Sequence, residues 1–144
     1  MAAQFHLADL FETVAAEIPD RVAIKSDAGH LSYADLNTRA DHVASGLWEH
    51  GVRRGDSVGL YMMNGPEYLE SLLAAIKIGA VPFNVNYRYR ADELRYLFDN
   101  AQAAAVIHGA EFSPIMDEVR QDLPKLQTII AVADGIGQAK SPTY

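Results

Sequence analysis

Apolar positions change their spacing a little over a third of the way along the chain. Up to Gly51 they recur at intervals of three and four; from Ser57 onward short apolar runs alternate with amphipathic stretches. Leu7, Leu10, Phe11, Val14 and Ile18 predict a helix over Leu7 to Ile18 that presents these residues inward, with Pro19 just beyond its end. Val22 to Ser26 and His30 to Ser32 predict a hairpin across Asp27-Ala28-Gly29. Ser32 is placed to cap the next helix, with Asp35 three residues on as a weaker form of the capping box. That helix carries Leu36, Ala40, Val43, Ala44 and Leu47 as one stripe. It ends at Gly51, a residue able to take the left-handed conformation that helix termini often need.

The second pattern predicts four strands and three helices. Ser57 to Met62 is an apolar strand. Asn64-Gly65-Pro66-Glu67 opens a helix through Ile78, with Asn64 as cap, Glu67 as its reciprocal partner, and Leu69, Leu72, Leu73 and Ile76 facing inward. Val81 to Val85 is the next strand, Asp92 to Asn100 a helix, and Ala104 to Ile107 a third strand. Ser113 as a cap followed by Pro114 starts a helix toward Leu123. Thr128 to Val132 is the fourth strand. Such alternation gives the fold class α/β, a mainly parallel sheet with helices on both faces. Residues 1–133 are expected to form one α/β subdomain, and 134–144, with their Gly, Ser and Pro, a loop or linker.

Composition narrows the partners. The chain has 144 residues, 49% hydrophobic and 22% charged, which suits a globular domain. Its net charge of −7 disfavours nucleic acid, which is bound through clustered Lys and Arg. No cysteine is present, so disulfides, thiolate catalysis and zinc–thiolate sites are excluded. The start, Met1-Ala2-Ala3-Gln4-Phe5-His6, lacks the basic and apolar regions of a secretory signal. The longest apolar tract, Leu72 to Phe83, contains Lys77 and falls short of the ~20 residues that span a bilayer. A cytoplasmic protein without a transmembrane segment is expected.

Little in the residues points to chemistry. The five histidines, His6, His30, His42, His50 and His108, show no ligand spacing, so no metal site is expected. Ser32 and Ser113 read as caps, without a base to make either a nucleophile. Gly51-Val52-Arg53-Arg54-Gly55-Asp56 reads as a polar turn with both arginines facing solvent. One loop stands out: Asn84-Val85-Asn86-Tyr87-Arg88-Tyr89-Arg90 interleaves aromatic and basic residues beyond the carboxyl end of a strand, where open α/β sheets place ligands. Tyr87 and Arg88 are its candidate substrate-side residues, set against plain structural bracing.

Three short patterns in order resemble the opening of the adenylate-forming enzymes, which include acyl-CoA synthetases, luciferases and amino-acid-activating domains. They are Leu31-Ser32-Tyr33-Ala34-Asp35-Leu36, with Asp35 where the family has Glu; Gly51-Val52-Arg53-Arg54-Gly55-Asp56-Ser57-Val58; and Lys77-Ile78-Gly79-Ala80-Val81-Pro82. The likeness covers Leu7 to Val132. Asn84-Val85-Asn86-Tyr87-Arg88, followed by Asp92-Glu93-Leu94-Arg95-Tyr96, is most similar to fatty acyl-CoA synthetases. Arg90 departs from the family, which often has a Thr cap there.

The resemblance implies that this is the first portion of the large N-terminal domain of such an enzyme, an ATP-dependent fatty-acid–CoA ligase. The implied cofactors of the full-length enzyme are ATP, CoA and Mg, and its implied substrate is a fatty or other carboxylic acid. The family's phosphate loop and catalytic lysine match nothing up to Tyr144, so no catalytic or cofactor-binding residue is expected in this segment, which is expected to be inactive alone. An uncovered packing face that promotes self-association is also expected. Two alternatives stand beside this reading: a stand-alone, non-catalytic α/β binding or regulatory module, and an adenylating enzyme with a different acyl acceptor.

Overall fold

The computed structural model describes residues 6–133; the linker expected over 134–144 lies outside them. Helix α1 (Leu7–Glu17) leads into an antiparallel hairpin, β1 (Val22–Ser26) and β2 (Gly29–Ser32), and then into the long helix α2 (Tyr33–Glu49). The rest is β3 (Ser57–Tyr61), α3 (Pro66–Lys77), β4 (Val81–Asn84), α4 (Ala91–Asn100), β5 (Ala103–Gly109), α5 (Ser113–Val119) and β6 (Thr128–Val132). The four later strands form one sheet in the order β4-β3-β5-β6, and every pairing in it is parallel. Helices α2 and α3 cover one face and α4 and α5 the other, as the alternation of strand and helix requires.

The start of α2 is fixed locally. Ser32 accepts from the Asp35 backbone N–H at 3.0 Å, and the Asp35 carboxylate accepts from the Ser32 backbone N–H at 3.1 Å. The expected capping box is therefore complete, and the Ser32 bonds hold the Asp35 carboxyl below the usual carboxylate range. All five residues of the predicted α2 stripe are buried. Gly51 follows the helix with φ +93°, the left-handed geometry that favours glycine.

Two predicted stripes are corrected. In α1, Leu7 and Leu10 remain 59% and 50% exposed, while Ala8 and Ala15 are the residues buried. In α3, Glu70, Ser71, Ala74 and Ala75 face inward, and Leu69 is exposed with Leu72, Leu73 and Ile76 only partly covered. The cause is crowding: α3 packs on α2 more extensively than any other pair of helices and lies on the sheet as well. Small side chains allow that approach, so the larger ones are turned to the flanks. The Lys77 side chain, nearly buried at the end of α3, pairs with Glu12 of α1 and with Asp41 of α2 at 2.8 Å. Burial alone would lower its pKa, but the two carboxylates outweigh burial and hold it above the usual lysine value.

Two predicted caps are also absent. Gly65, not Asn64, is the N-cap of α3 and offers no side chain; Pro66 at the first helical position starts the helix instead. Ser113 already lies within a helical turn, because a short 3₁₀ turn over Ala110–Phe112 runs straight into α5. At Arg90 no side chain caps α4, in keeping with the missing Thr. The Glu93 carboxylate instead accepts from the Arg90 backbone N–H at 2.7 Å.

Candidate functional site

The chain runs from β3 outward to β4, then crosses to the other side of β3 to form β5. The strand order therefore reverses between β3 and β5. The crevice outside the carboxyl ends of strands at such a point is where open α/β sheets bind ligands. Two clefts open there, and Glu111 borders both.

The smaller, about 110 Å³, lies at the start of α3 between Met62, Asn64, Gly65, Gly109 and Glu111, with Glu67 beside them. Two carboxylates at a helix start make it a poor cradle for phosphate, since like charges repel. Asn64 therefore neither caps α3 nor sits in a glycine-rich phosphate loop.

The larger cleft, about 540 Å³, spans the turn after β4 and the segment after β5. Tyr87, Arg88, Tyr89 and Arg90 form one wall; Glu111, Phe112, Pro114 and Ile115 form the other, with Tyr61 between them. The turn folds on Asn86. Its side-chain oxygen accepts from the Arg88 N–H at 3.0 Å, and its carbonyl accepts from the Tyr89 N–H at 3.0 Å. Val85 just before it is buried and donates its N–H to Leu60 at 3.0 Å, which joins the turn to the central strand. Tyr87 and Arg88 are both exposed, and the guanidinium lies 5.5 Å over the Tyr87 ring. The structure thus brings the two candidate residues together at the rim of the larger cleft.

Tyr61, Glu111 and Phe112 carried no signal in the sequence. Tyr61 reads there as one more apolar strand residue, and it is indeed 1% exposed. Its ring stacks on Phe112 at 4.2 Å, and its hydroxyl donates to the Tyr89 carbonyl at 3.1 Å. Burial raises the phenol pKa, Arg90 opposes that, and Glu111 adds to it, so the hydroxyl keeps its proton and remains a donor. Only the fold places it against a turn that lies 28 residues further along the chain.

Among the described residues no three His, Asp or Glu side chains gather in a metal-binding group, and no helix is long and apolar enough to cross a membrane. Glu70 is the notable buried charge, away from these clefts. Arg39 Nε lies 3.0 Å from its Oε1 without hydrogen-bonding alignment, and burial raises its pKa more than Arg39 lowers it.

Comparison with known proteins gives one consistent result. Residues 11–142 match the protein family described as AMP-binding enzyme. The 3-oxocholest-4-en-26-oate–CoA ligase of Rhodococcus rhodochrous is 42% identical over 130 residues, covering 90% of this chain and 23% of that protein. The medium/long-chain-fatty-acid–CoA/3-oxocholest-4-en-26-oate–CoA ligase of Mycobacterium marinum is 41% identical over 135 residues, 94% of this chain and 24% of that protein. Among solved structures, the fatty acyl CoA synthetase of Mycobacterium tuberculosis superposes with a TM-score of 0.82 at 26% identity, over 88% of this chain and 26% of that one. The chain spans about a quarter of the length of the curated relatives it matches.

Proposed function

This chain belongs to the AMP-binding enzyme family, and from that premise we propose that it is the opening segment of an ATP-dependent fatty-acid–CoA ligase. The observation that carries this is the likeness to acid–CoA ligases at 41–42% identity along nine-tenths or more of the chain. In the proposed reaction the carboxylate attacks the α-phosphorus of ATP, releasing pyrophosphate and forming an acyl-adenylate. The thiol of CoA then attacks the acyl carbon and expels AMP, giving the thioester.

The cleft at the start of α3 carries Glu67 and Glu111 rather than a cradle for the phosphates of ATP, and among the described residues no carboxylate cluster gathers to hold magnesium. ATP, CoA and Mg are accordingly assigned to the full-length enzyme, and residues 1–144 alone turn over no ATP. The segment's own share lies with Tyr87 and Arg88. Arg88 is always cationic and presents a planar fork suited to carboxylate or phosphate. Its place at the rim of the larger cleft supports contact with an anionic group of the substrate. Exposed Leu7, Leu10 and Leu69 support self-association of the isolated segment, to be read from its mass by light scattering as concentration rises.

The test is to assay the natural gene product carrying this segment for acid-dependent exchange of pyrophosphate into ATP, and then for thioester formation. Both activities are expected with medium- or long-chain acids. Exchange without thioester would point to a different acyl acceptor, and no exchange with any acid would overturn the ligase reading.

A further inference from the structure

The turn Asn86–Arg90 is shaped by its own short-range bonds. Arg88 N–H to Asn86 Oδ1, Tyr89 N–H to the Asn86 carbonyl, and Arg90 N–H to Glu93 Oε2 all connect residues two or three apart. Such bonds fix the conformation of a turn but not its place on the sheet. Two ties hold it to the sheet: just before the turn the Val85 N–H donates to the Leu60 carbonyl at 3.0 Å, and within the turn the Tyr89 carbonyl accepts from the Tyr61 hydroxyl at 3.1 Å. The donor could hardly be better anchored. Tyr61 closes the central strand β3, is 1% exposed, and has its ring stacked on Phe112 from beyond β5.

We propose that Tyr61 is a positioning residue whose hydroxyl pins the turn after β4 to the sheet, so that Arg88 is held over the larger cleft in the orientation that meets the anionic group of the substrate. This rests on the reading that Tyr87 and Arg88 face substrate. A phenylalanine would fill the same space and keep the stack on Phe112; only the bond to Tyr89 needs the oxygen. Without it the Tyr89 carbonyl loses its partner, and the part of the turn beyond Val85 samples other placements. Arg88 must then be ordered at the moment of binding, which weakens the contact without changing its chemistry. Arg90 and Glu111 border the same cleft and act on the hydroxyl with opposite charge.

The experiment has a structural arm and a kinetic arm, both on the natural gene product. Tyr61→Phe is expected to speed amide hydrogen exchange at Arg88 and Tyr89 about five-fold, the scale of one lost hydrogen bond, while β3 and β5 amides stay as they were. Unchanged exchange in the turn overturns the proposal outright. In the kinetic arm, KM is measured separately for the acid, for ATP and for the thiol acceptor. Arg88→Ala raises the KM of whichever supplies the anionic group, and Tyr61→Phe raises that same KM about five-fold with kcat retained. Combined with Arg88→Ala, Tyr61→Phe adds nothing further, because it acts through Arg88. If Arg88→Ala raises a KM that Tyr61→Phe leaves alone, the positioning role falls and the substrate-side reading stands. If Arg88→Ala changes no KM although exchange quickens, the substrate-side reading falls while the pin itself stands.

Discussion

The two faces of the parallel sheet are filled in different ways. Under α2 and α3 the buried core is aliphatic and fine-grained: Val43, Leu47, Val58, Leu60 and Ile107 pack among Ala44, Ala74, Ala75 and Ala105. Under α4 and α5 it is coarse, with Tyr61, Phe98 and Met116 fully buried and Phe83 and Phe112 partly so. Phe83 and Phe98 meet edge to face at 6.4 Å across Gly59, where a Cβ would come within 3.1 Å of both rings. The first face gains its stability from close approach of helices. The second fills its space with a few large rings, and Tyr61 carries that aromatic layer out to the candidate site. The second face also touches the loop that carries Tyr87 and Arg88, through the Tyr61 hydroxyl bond to the Tyr89 carbonyl.

The contrast breaks most readily by truncation on the aromatic face. Phe98→Ala is expected to cost about 3–5 kcal/mol in urea unfolding, because neighbouring rings cannot collapse into the void. A cost below 1 kcal/mol would mean that this layer is not close-packed. On the aliphatic face enlargement is the damaging change. Ala74, wholly buried, replaced by Leu should cost about 1–3 kcal/mol by forcing α3 from its neighbours. A neutral Ala74→Leu would show room between the layers and remove the reason given for the rotated α3 stripe.

Smaller effects sharpen the same comparison at the ends and edges of the scaffold. Ser32→Ala removes the α2 cap and is expected to lower stability by about 1 kcal/mol, measured by the shift in urea midpoint. The cap also carries a pH signature. The Asp35 pKa is lowered from 3.8 by its bonds to Ser32, so its contribution is present above that value and lost as pH falls through the folded pKa. Ser32→Ala should flatten stability against pH in that acid range.

Glu70 behaves in the opposite sense, and its effect is expected to be the smallest. Burial raises its folded pKa above 4.5, with Arg39 opposing and Glu67 adding. Its contribution is therefore full below 4.5 and lost as pH rises through the folded pKa. Glu70→Gln should remove that loss, so the variant gains on the unchanged protein as pH rises. If the difference between the two has no pH dependence above 4.5, the carboxylate is not desolvated as described.

Much of the fold was legible in the sequence, and the reasons are local. The Ser32–Asp35 box, the stop at Gly51, the turn at Asp27-Ala28-Gly29 and the alternation after Ser57 each depend on neighbours within a few positions. The α3 stripe was misread because hydrophobicity says which residues prefer burial, not which are small enough for two helices and a sheet to meet. The leucines lost their place to Ala74 and Ala75 on size. The candidate site was half legible. Tyr87 and Arg88 stood out by composition and by their place after a strand, while Tyr61 and Glu111 had no pattern to mark them.

By itself the sequence determined the order of elements, the α/β class and the family, since periodicity, caps and short motifs are all encoded within a few residues. Only the tertiary structure decided which flank of α3 and α1 stays open, and that the phenol of Tyr61 meets the carbonyl of Tyr89. Those outcomes depend on distances between segments far apart in the chain. Strand pairing sets such distances, and no local pattern contains them.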